Sequence, residues 1–449
     1  MKKLKASKVL HLTTHLGGGV GSAVLGYLSK AKKDPNFTHK VVCLNYAEER
    51  SRKVAAGLGV ELLDMMNKER ETLLRMIAEA DLVLIHLWNH PLLYDFLVRE
   101  KLPACRVVVW SHVSGLKAPN VFTKKILRYP DMFVFTTPIS LDVSAVKKFS
   151  VDRLVIWSTG GVEYLASSKS KKHSGFNIGY LGTVDYAKLC PNFLDICSKI
   201  DIPDVRFIIC GDDNGGKIKE EAQRMGIDHK FNFVGWVSDI HQYLSTFDLF
   251  GYPLLRDHYG TCDHVLQESM AAGVVPVVLN NKMEMSMVQD GKTGIVAKTE
   301  TDYIKAVQTL YNNAKLRKML SNNARQYALC NFSIDKMVDD WNRVFSELLK
   351  IPKTPKRWDI QMRGEILPKD VFLESIGDHG KIFSNYCNAN TETGRLKALK
   401  EIASLGRLSN WSAETKGTVH NYYTFLPADK YLTLWSKTMR CNVGSRHIS

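Results

Sequence analysis

Residues 254–276 read LLRDHYGTCDHVLQESMAAGVVP. A polar, glycine-containing loop (Arg256, Asp257, His258, Tyr259, Gly260) runs into a short helical pattern. That pattern carries one acid, Glu268, and stops at Gly273. An apolar run, 274–279, follows. Loop, helix and buried strand in that order build half of a ligand site. Free N–H groups at a helix start attract phosphate. A carboxylate two turns further on can accept hydrogen bonds from sugar hydroxyls. A second half-site is expected at Gly17–Gly21, facing the first.

Working outward, apolar runs alternate with helical patterns on both sides of this stretch. Strands are expected at 177–181, 206–210, 231–234, 249–252, 274–279 and 294–297, with amphipathic helices between them. An earlier series offers 8–12, 40–44, 81–86, 106–110 and 132–136. Runs such as DLVLIH and RVVVW lack polar alternation, so both faces of the strand are buried, as in a parallel sheet. The predicted fold class is therefore α/β: two doubly wound, Rossmann-like parallel-sheet domains facing a cleft. The polar, basic SSKSKKHSG near 167–175 marks the join. Expected domains are 1–170, 171–350 and a C-terminal extension, 351–449. The extension opens with prolines at 352, 355 and 368 and is rich in Trp and Tyr, which argues against disorder. A helix is expected there at 392–404.

Gly-rich HLGGGVGSA (15–23) sits between the first strand and a helix, the usual place for a phosphate or sugar site. It is not a phosphate-binding loop of the Gly-Lys-Ser/Thr kind, because no lysine follows. It is also a poor dinucleotide fingerprint: the second strand ends in Asn45, not in an acid. Two histidines, His86 and His112, fall at carboxyl ends of strands, where open α/β sheets bind ligands. Either could polarise a hydroxyl, and either could be structural.

Composition limits the partners. The net charge is +15. Residues 1–172 hold 27 Lys/Arg against 15 Asp/Glu, and residues 173–350 hold 19 against 22. A basic first domain suits an anionic acceptor or an anionic membrane surface. No aromatic-interleaved basic motif points to nucleic acid. Nine cysteines without a C-x-x-C pair fit a reducing compartment and no structural metal. With no signal peptide and no apolar span, a cytoplasmic location is expected, with possible attachment to the inner face of the membrane.

The order of pieces over 177–294 resembles the donor domain of GT-B glycosyltransferases of family 4, the glycosyl transferases group 1. The pieces are FNIGYLGTVDYAKLCPNFLDI, FIICGDD, FVGWVSDIHQYLSTFDLFGYPLLRDHYGTCDHVLQESMAAGVVPVV and QDGKTGIVA. GGGVGSA resembles that family's N-terminal glycine loop. The resemblance covers about 1–350 and leaves the C-terminal segment outside. It implies that Glu268, the second glutamate of a Glu-x7-Glu motif, holds the donor ribose. It places Lys188 at the diphosphate, with backbone N–H groups of Gly260, Thr261 and Cys262 nearby. Gly235 and Val237 would border the base, Gly18 and Gly19 the diphosphate, and His112 the transferred sugar. Arg256 would add positive charge, and Asp263 would be a donor contact or simply the helix N-cap.

Two positions depart from the pattern. Gly260 stands where the first glutamate is expected, and Thr183 where an arginine is expected. Asp263 or Asp257 could replace the lost acid. The resemblance implies a retaining hexosyltransferase that moves a sugar from a nucleotide-diphosphate sugar to a glycan or lipid-linked acceptor, building a surface or exported glycan. No metal or other cofactor is expected, because no Asp-x-Asp pair is suitably placed. Two alternatives stand beside it: a GT-B-like protein that binds sugar nucleotides without catalysis, and another enzyme on the same fold, such as a sugar-nucleotide epimerase.

Overall fold

The computed structural model describes residues 6–149, 154–213, 215–256, 258, 260–360, 364–415 and 417–440. The apolar runs form the strands. In the first sheet these are β1 (Ser7–Thr13), β2 (Phe37–Cys43), β3 (Glu61–Leu63), β4 (Leu82–Leu87), β5 (Val107–Ser111), β6 (Met132–Phe135) and β7 (Leu154–Val155). They pair in parallel, in the order β7-β6-β5-β4-β1-β2-β3. Every residue of β4 and of β5 is buried. That explains why neither strand alternates polar and apolar residues.

The second sheet holds β8 (Phe176–Leu181), β9 (Val205–Cys210), β10 (Phe231–Gly235), β11 (Leu249–Tyr252), β12 (Val275–Leu279) and β13 (Ile295–Ala297). It is parallel, in the order β10-β9-β8-β11-β12-β13. In both sheets the order reverses beside the first strand, between β1 and β4 and between β8 and β11. Connections on the two sides of such a point leave in opposite directions and open a crevice outside the carboxyl ends. The expected pair of doubly wound domains is present.

The chain divides into two compact units: Met1–Ile156 with Val338–Ser449, and Trp157–Met337. The described residues after 338 thus belong to the same unit as the first sheet. A two-stranded antiparallel pair joins Thr354–Lys356 to Leu102–Cys105. The expected helix is present as Glu392–Leu405, accompanied by Pro368–Ile376, Lys381–Asn388, Val419–Phe425 and Lys430–Arg440. Four of their aromatic residues are core. Phe372, Phe383, Tyr422 and Trp435 have no exposed surface, and they share one cluster with Leu93, Leu97 and Phe133 of the sheet domain. Burying one such side chain contributes about 2–3 kcal/mol. The polar atoms are matched as well. Tyr422 Oη donates to Asn89 Oδ1 at 3.0 Å, and Trp358 Nε1 donates to Glu374 at 2.8 Å. Among the described residues no helix is long and apolar enough to cross a membrane.

Candidate functional site

At the reversal point of the second sheet, the chain leaves β8 through Gly182 and returns to Lys188. Gly182 has φ +140°. A Cβ there would lie 3.2 Å from both Lys188 Nζ and Tyr180 Oη, so glycine leaves room for the ammonium over the loop. Lys188 is buried and sits 5.4 Å above the Tyr252 ring. Its Nζ lies 3.1 Å from Asp263 Oδ2, and the same oxygen accepts the Tyr252 hydroxyl at 2.6 Å. Burial would raise the Asp263 pKa. Lys188, His258 and the Tyr252 hydrogen bond outweigh it and lower the value below the usual carboxylate range.

Asp263 occupies the N-cap position of the His264–Ala271 helix, with extended backbone. Its side chain makes no capping bond, because it is turned toward Lys188. The helix buries Leu266, Gln267 and Met270. Gly273, with φ +78°, lets the chain leave the helix in the left-handed conformation, with its N–H donated to Met270 O.

Glu268 lies mid-helix, half-buried. Desolvation pushes its carboxyl up to about 7. Tyr164, 56 % exposed, is its electrostatic neighbour: burial first and then the Glu268 charge raise the Tyr164 phenol. No motif in the sequence singled out Tyr164, which lies in the single turn Glu163–Leu165.

The loop before the helix is held from inside. His258 Nδ1 accepts the Gly260 N–H at 2.9 Å, which puts the ring proton on Nε2. That nitrogen lies 3.1 Å from both oxygens of Glu284. Asn281 donates to Glu284 as well. Glu284 has no exposed surface, so it anchors the loop and is closed to solvent. In this structure the Gly260 N–H is donated to His258. A Cβ at 260 would lie 2.6 Å from the His258 ring and 2.9 Å from Asp263. Glycine at 260 thus leaves room for the His258 ring and the Asp263 carboxylate. Cys262 is also engaged, its thiol donating to Ser158 O at 3.3 Å, while Gln267 donates to the same carbonyl at 2.8 Å. Thr261 is half-buried and Arg256 exposed. Asp257 and Tyr259 lie outside the described residues.

Gly235 ends β10 with φ +81° and accepts the Gly211 N–H at 2.8 Å. Val237 is half-buried. Between them Trp236 is 69 % exposed, the largest exposed aromatic surface among the described residues.

In the other unit, Gly18 and Gly19 open the Gly18–Ala31 helix and are exposed. A Cβ on either would meet nothing within 4 Å, so the backbone of this first turn can be approached closely. Gly18 also needs its left-handed φ of +54°. His112 follows β5, half-buried, and its N–H donates to Leu87 O. Its Nε2 lies 3.0 Å from His86 Nδ1. His86 itself is the penultimate residue of β4 and fully buried, so it contacts His112 and is closed to solvent. At the carboxyl ends of β1, β2 and β4, His15 stacks on Tyr46 with ring centroids 5.3 Å apart. It also meets Trp88 edge-on at 5.0 Å.

Comparisons with known proteins bear on the fold. Residues 165–327 match the family model for glycosyl transferases group 1. No curated protein matches the chain. Solved structures share the fold. A glycosyltransferase from Rickettsia africae superposes with a TM-score of 0.64 at 14 % identity, covering 77 % of this chain and 99 % of its own. Anabaena HepE in complex with UDP-glucose gives 0.59 at 16 % identity, covering 76 % and 99 %. A variant of TarM from S. aureus, in complex with fondaparinux, α-GlcNAc-glycerol and UDP, gives 0.58 at 12 % identity, covering 75 % and 99 %. The fold is GT-B: two Rossmann-like domains, each a parallel sheet reversed beside its first strand.

Proposed function

We propose that this protein is a retaining glycosyltransferase that takes a sugar from a nucleoside-diphosphate sugar and passes it to a glycan or lipid-linked acceptor. UDP is the nucleotide of choice for a first test, because HepE and TarM are similar in fold and carry it. One observation carries the reading. Glu268 lies half-buried and destabilised on the helix that follows the reversal point, within the stretch similar to glycosyl transferases group 1. A carboxylate there gains most when a ribose diol donates hydrogen bonds to its ionised form.

Charge accumulates on the diphosphate as the glycosidic bond breaks, and preorganised cations and dipoles lower that barrier most. Arg256 is exposed on the loop, and the N–H groups that open the His264–Ala271 helix follow it. Lys188 adds a buried ammonium, partly offset by Asp263. No metal need be invoked. Gly235, Trp236 and Val237 would border the base. The strongly basic 1–172 stretch suits an anionic acceptor and a peripheral contact with an anionic membrane.

A second reading has its own observation. Lys188 is held by Asp263, Gly260 carries no acid and Thr183 replaces an arginine, which fits a binding protein without turnover. Calorimetry with UDP, followed by release of nucleotide from UDP-, GDP- and ADP-sugars over a broad acceptor panel, separates the two. Binding with turnover supports the transferase. Binding without turnover supports the second reading, and absence of all nucleotide binding removes both.

A further inference from the structure

Four histidines lie on four adjacent strands of the first sheet in a regular diagonal. His39 is on β2, His11 on β1, His86 on β4, and His112 directly follows β5. Register fixes the step. Val9 pairs with His39, so His11 stands two residues further along β1. His11 pairs with Leu84, so His86 stands two further along β4. His86 pairs with Trp110, so His112 stands two further again. A step of two keeps every side chain on the same face of the sheet. The rings join through opposite nitrogens. His39 Nδ1 to His11 Nε2 is 3.0 Å, His11 Nδ1 to His86 Nε2 is 3.1 Å, and His86 Nδ1 to His112 Nε2 is 3.0 Å. His86 stacks on both neighbours, at interplanar angles of 14° and 19°. Tyr27 covers His11 and His39, and Trp110 covers His86 and His112.

Each of these contacts needs one proton between its two nitrogens. Burial holds His11 and His86 far below the usual imidazole range and His39 at about 4, so these rings are neutral near pH 7. With His112 neutral as well, the chain has one ring proton left after its contacts are made. It sits at one end, on His39 Nε2 or on His112 Nδ1. His39 Nε2 is buried and has no hydrogen-bond partner among the described residues. A buried N–H without an acceptor costs more than an unused lone pair.

We propose that His39, His11 and His86 are positioning residues that act through His112: the four rings share one proton register, every ring protonated on Nδ1, so that His112 carries its ring proton on Nδ1 at the carboxyl end of β5. In this register His39 donates to His11, His11 to His86, and His86 to His112. No net proton transfer is involved. His112 is then suited to donate to an oxygen and unsuited to act as a base there.

The test is long-range proton–nitrogen NMR on the full chain labelled with 15N-histidine, which distinguishes Nδ1–H from Nε2–H rings. The expected result near pH 7 is four Nδ1–H tautomers. In His86→Leu, which replaces a buried ring by an apolar side chain, His112 is expected to become a mixture of both tautomers. Should His86→Leu fail to fold, His11→Leu cuts the chain one ring earlier, and the wild-type spectrum decides the register alone. Nε2–H or mixed tautomers in the wild type overturn the proposal, as does an unchanged His112 in His86→Leu. A consequence for catalysis rests on the glycosyltransferase reading: kcat of His86→Leu should fall by about tenfold or more with donor affinity unchanged. A shifted tautomer with unchanged kcat would leave the chain standing and remove His112 from the reacting sugar.

Discussion

Lys188 Nζ and Asp263 Oδ2 stand 3.1 Å apart at the reversal point of the second sheet, both nearly closed to solvent. The pair ties the return from β8 to the helix start after β11. Removing one member leaves the other charge buried and uncompensated, typically at a cost of about 3–5 kcal/mol. Lys188→Met should therefore lower stability by about that much in chemical denaturation, and Lys188→Met with Asp263→Asn should recover most of it. The acid side of the profile follows from the lowered Asp263 pKa. Its contribution is fully present above the unfolded carboxylate value and is lost as pH falls through the folded one. Additive losses in the double variant would show that the pair is not coupled.

Glu268 has the opposite sign. Its folded pKa, about 7, exceeds the unfolded value, so the native state holds more protons and stability falls as pH rises between roughly 4.5 and 7. Above that window the penalty reaches about 3 kcal/mol at most. Glu268→Gln should raise the Tm at pH 8 and leave it nearly unchanged at pH 4.5. The same substitution should weaken UDP binding. In the wild type, binding near pH 7 should release a proton, seen as a heat that varies with the ionisation enthalpy of the buffer. A heat independent of the buffer would mean that Glu268 does not titrate on binding.

The parallel sheets were legible because a strand buried on both faces leaves an unbroken apolar run, as VVVW and LVLIH do. The helix carrying Glu268 was legible from its bounding Asp263 and Gly273. Other features had no local signal. The aromatic residues after 358 read as a tail of unreadable chemistry, because their partners Asn89, Leu93 and Leu97 lie more than 250 residues earlier. The Asp263 side chain was ambiguous between cap and ligand contact, since only the position of Lys188 decides where it turns. Glu284 resembles any helix acid until His258 is seen against it. The histidine diagonal depends on strand register, which no single stretch of sequence contains.

The His258–Glu284 contact predicts a structural phenotype for a loop with functional promise. Glu284 has no exposed surface and accepts from His258 and Asn281. Glu284→Ala leaves the buried His258 Nε2–H without its acceptor, at about 1–3 kcal/mol, while Asn281 keeps its bonds to Leu254 O and Leu255 O. The expected outcome is a lower Tm, faster amide exchange at Gly260 and weaker UDP binding, although Glu284 lies out of reach of any ligand. Unchanged Gly260 exchange would show that the loop holds itself without this contact.

Tyr422 and Asn89 make the last prediction, because they separate a docked tail from a structural one. Tyr422 Oη donates to Asn89 Oδ1, and Asn89 Nδ2 donates to Pro119 O at 2.8 Å, so the tail helix and the loop after β4 share one buried network. Tyr422→Phe keeps the packing and leaves one acceptor unpaired, so it should cost about 1–2 kcal/mol. Tyr422→Ala also opens a cavity among Phe372 and its neighbours and should cost about 3–5 kcal/mol. A chain ending at residue 350 exposes that whole apolar face, and its first sheet domain should fail to unfold cooperatively in calorimetry. If the shortened chain instead keeps a sharp transition of unchanged Tm, the segment is an accessory to a domain that folds without it.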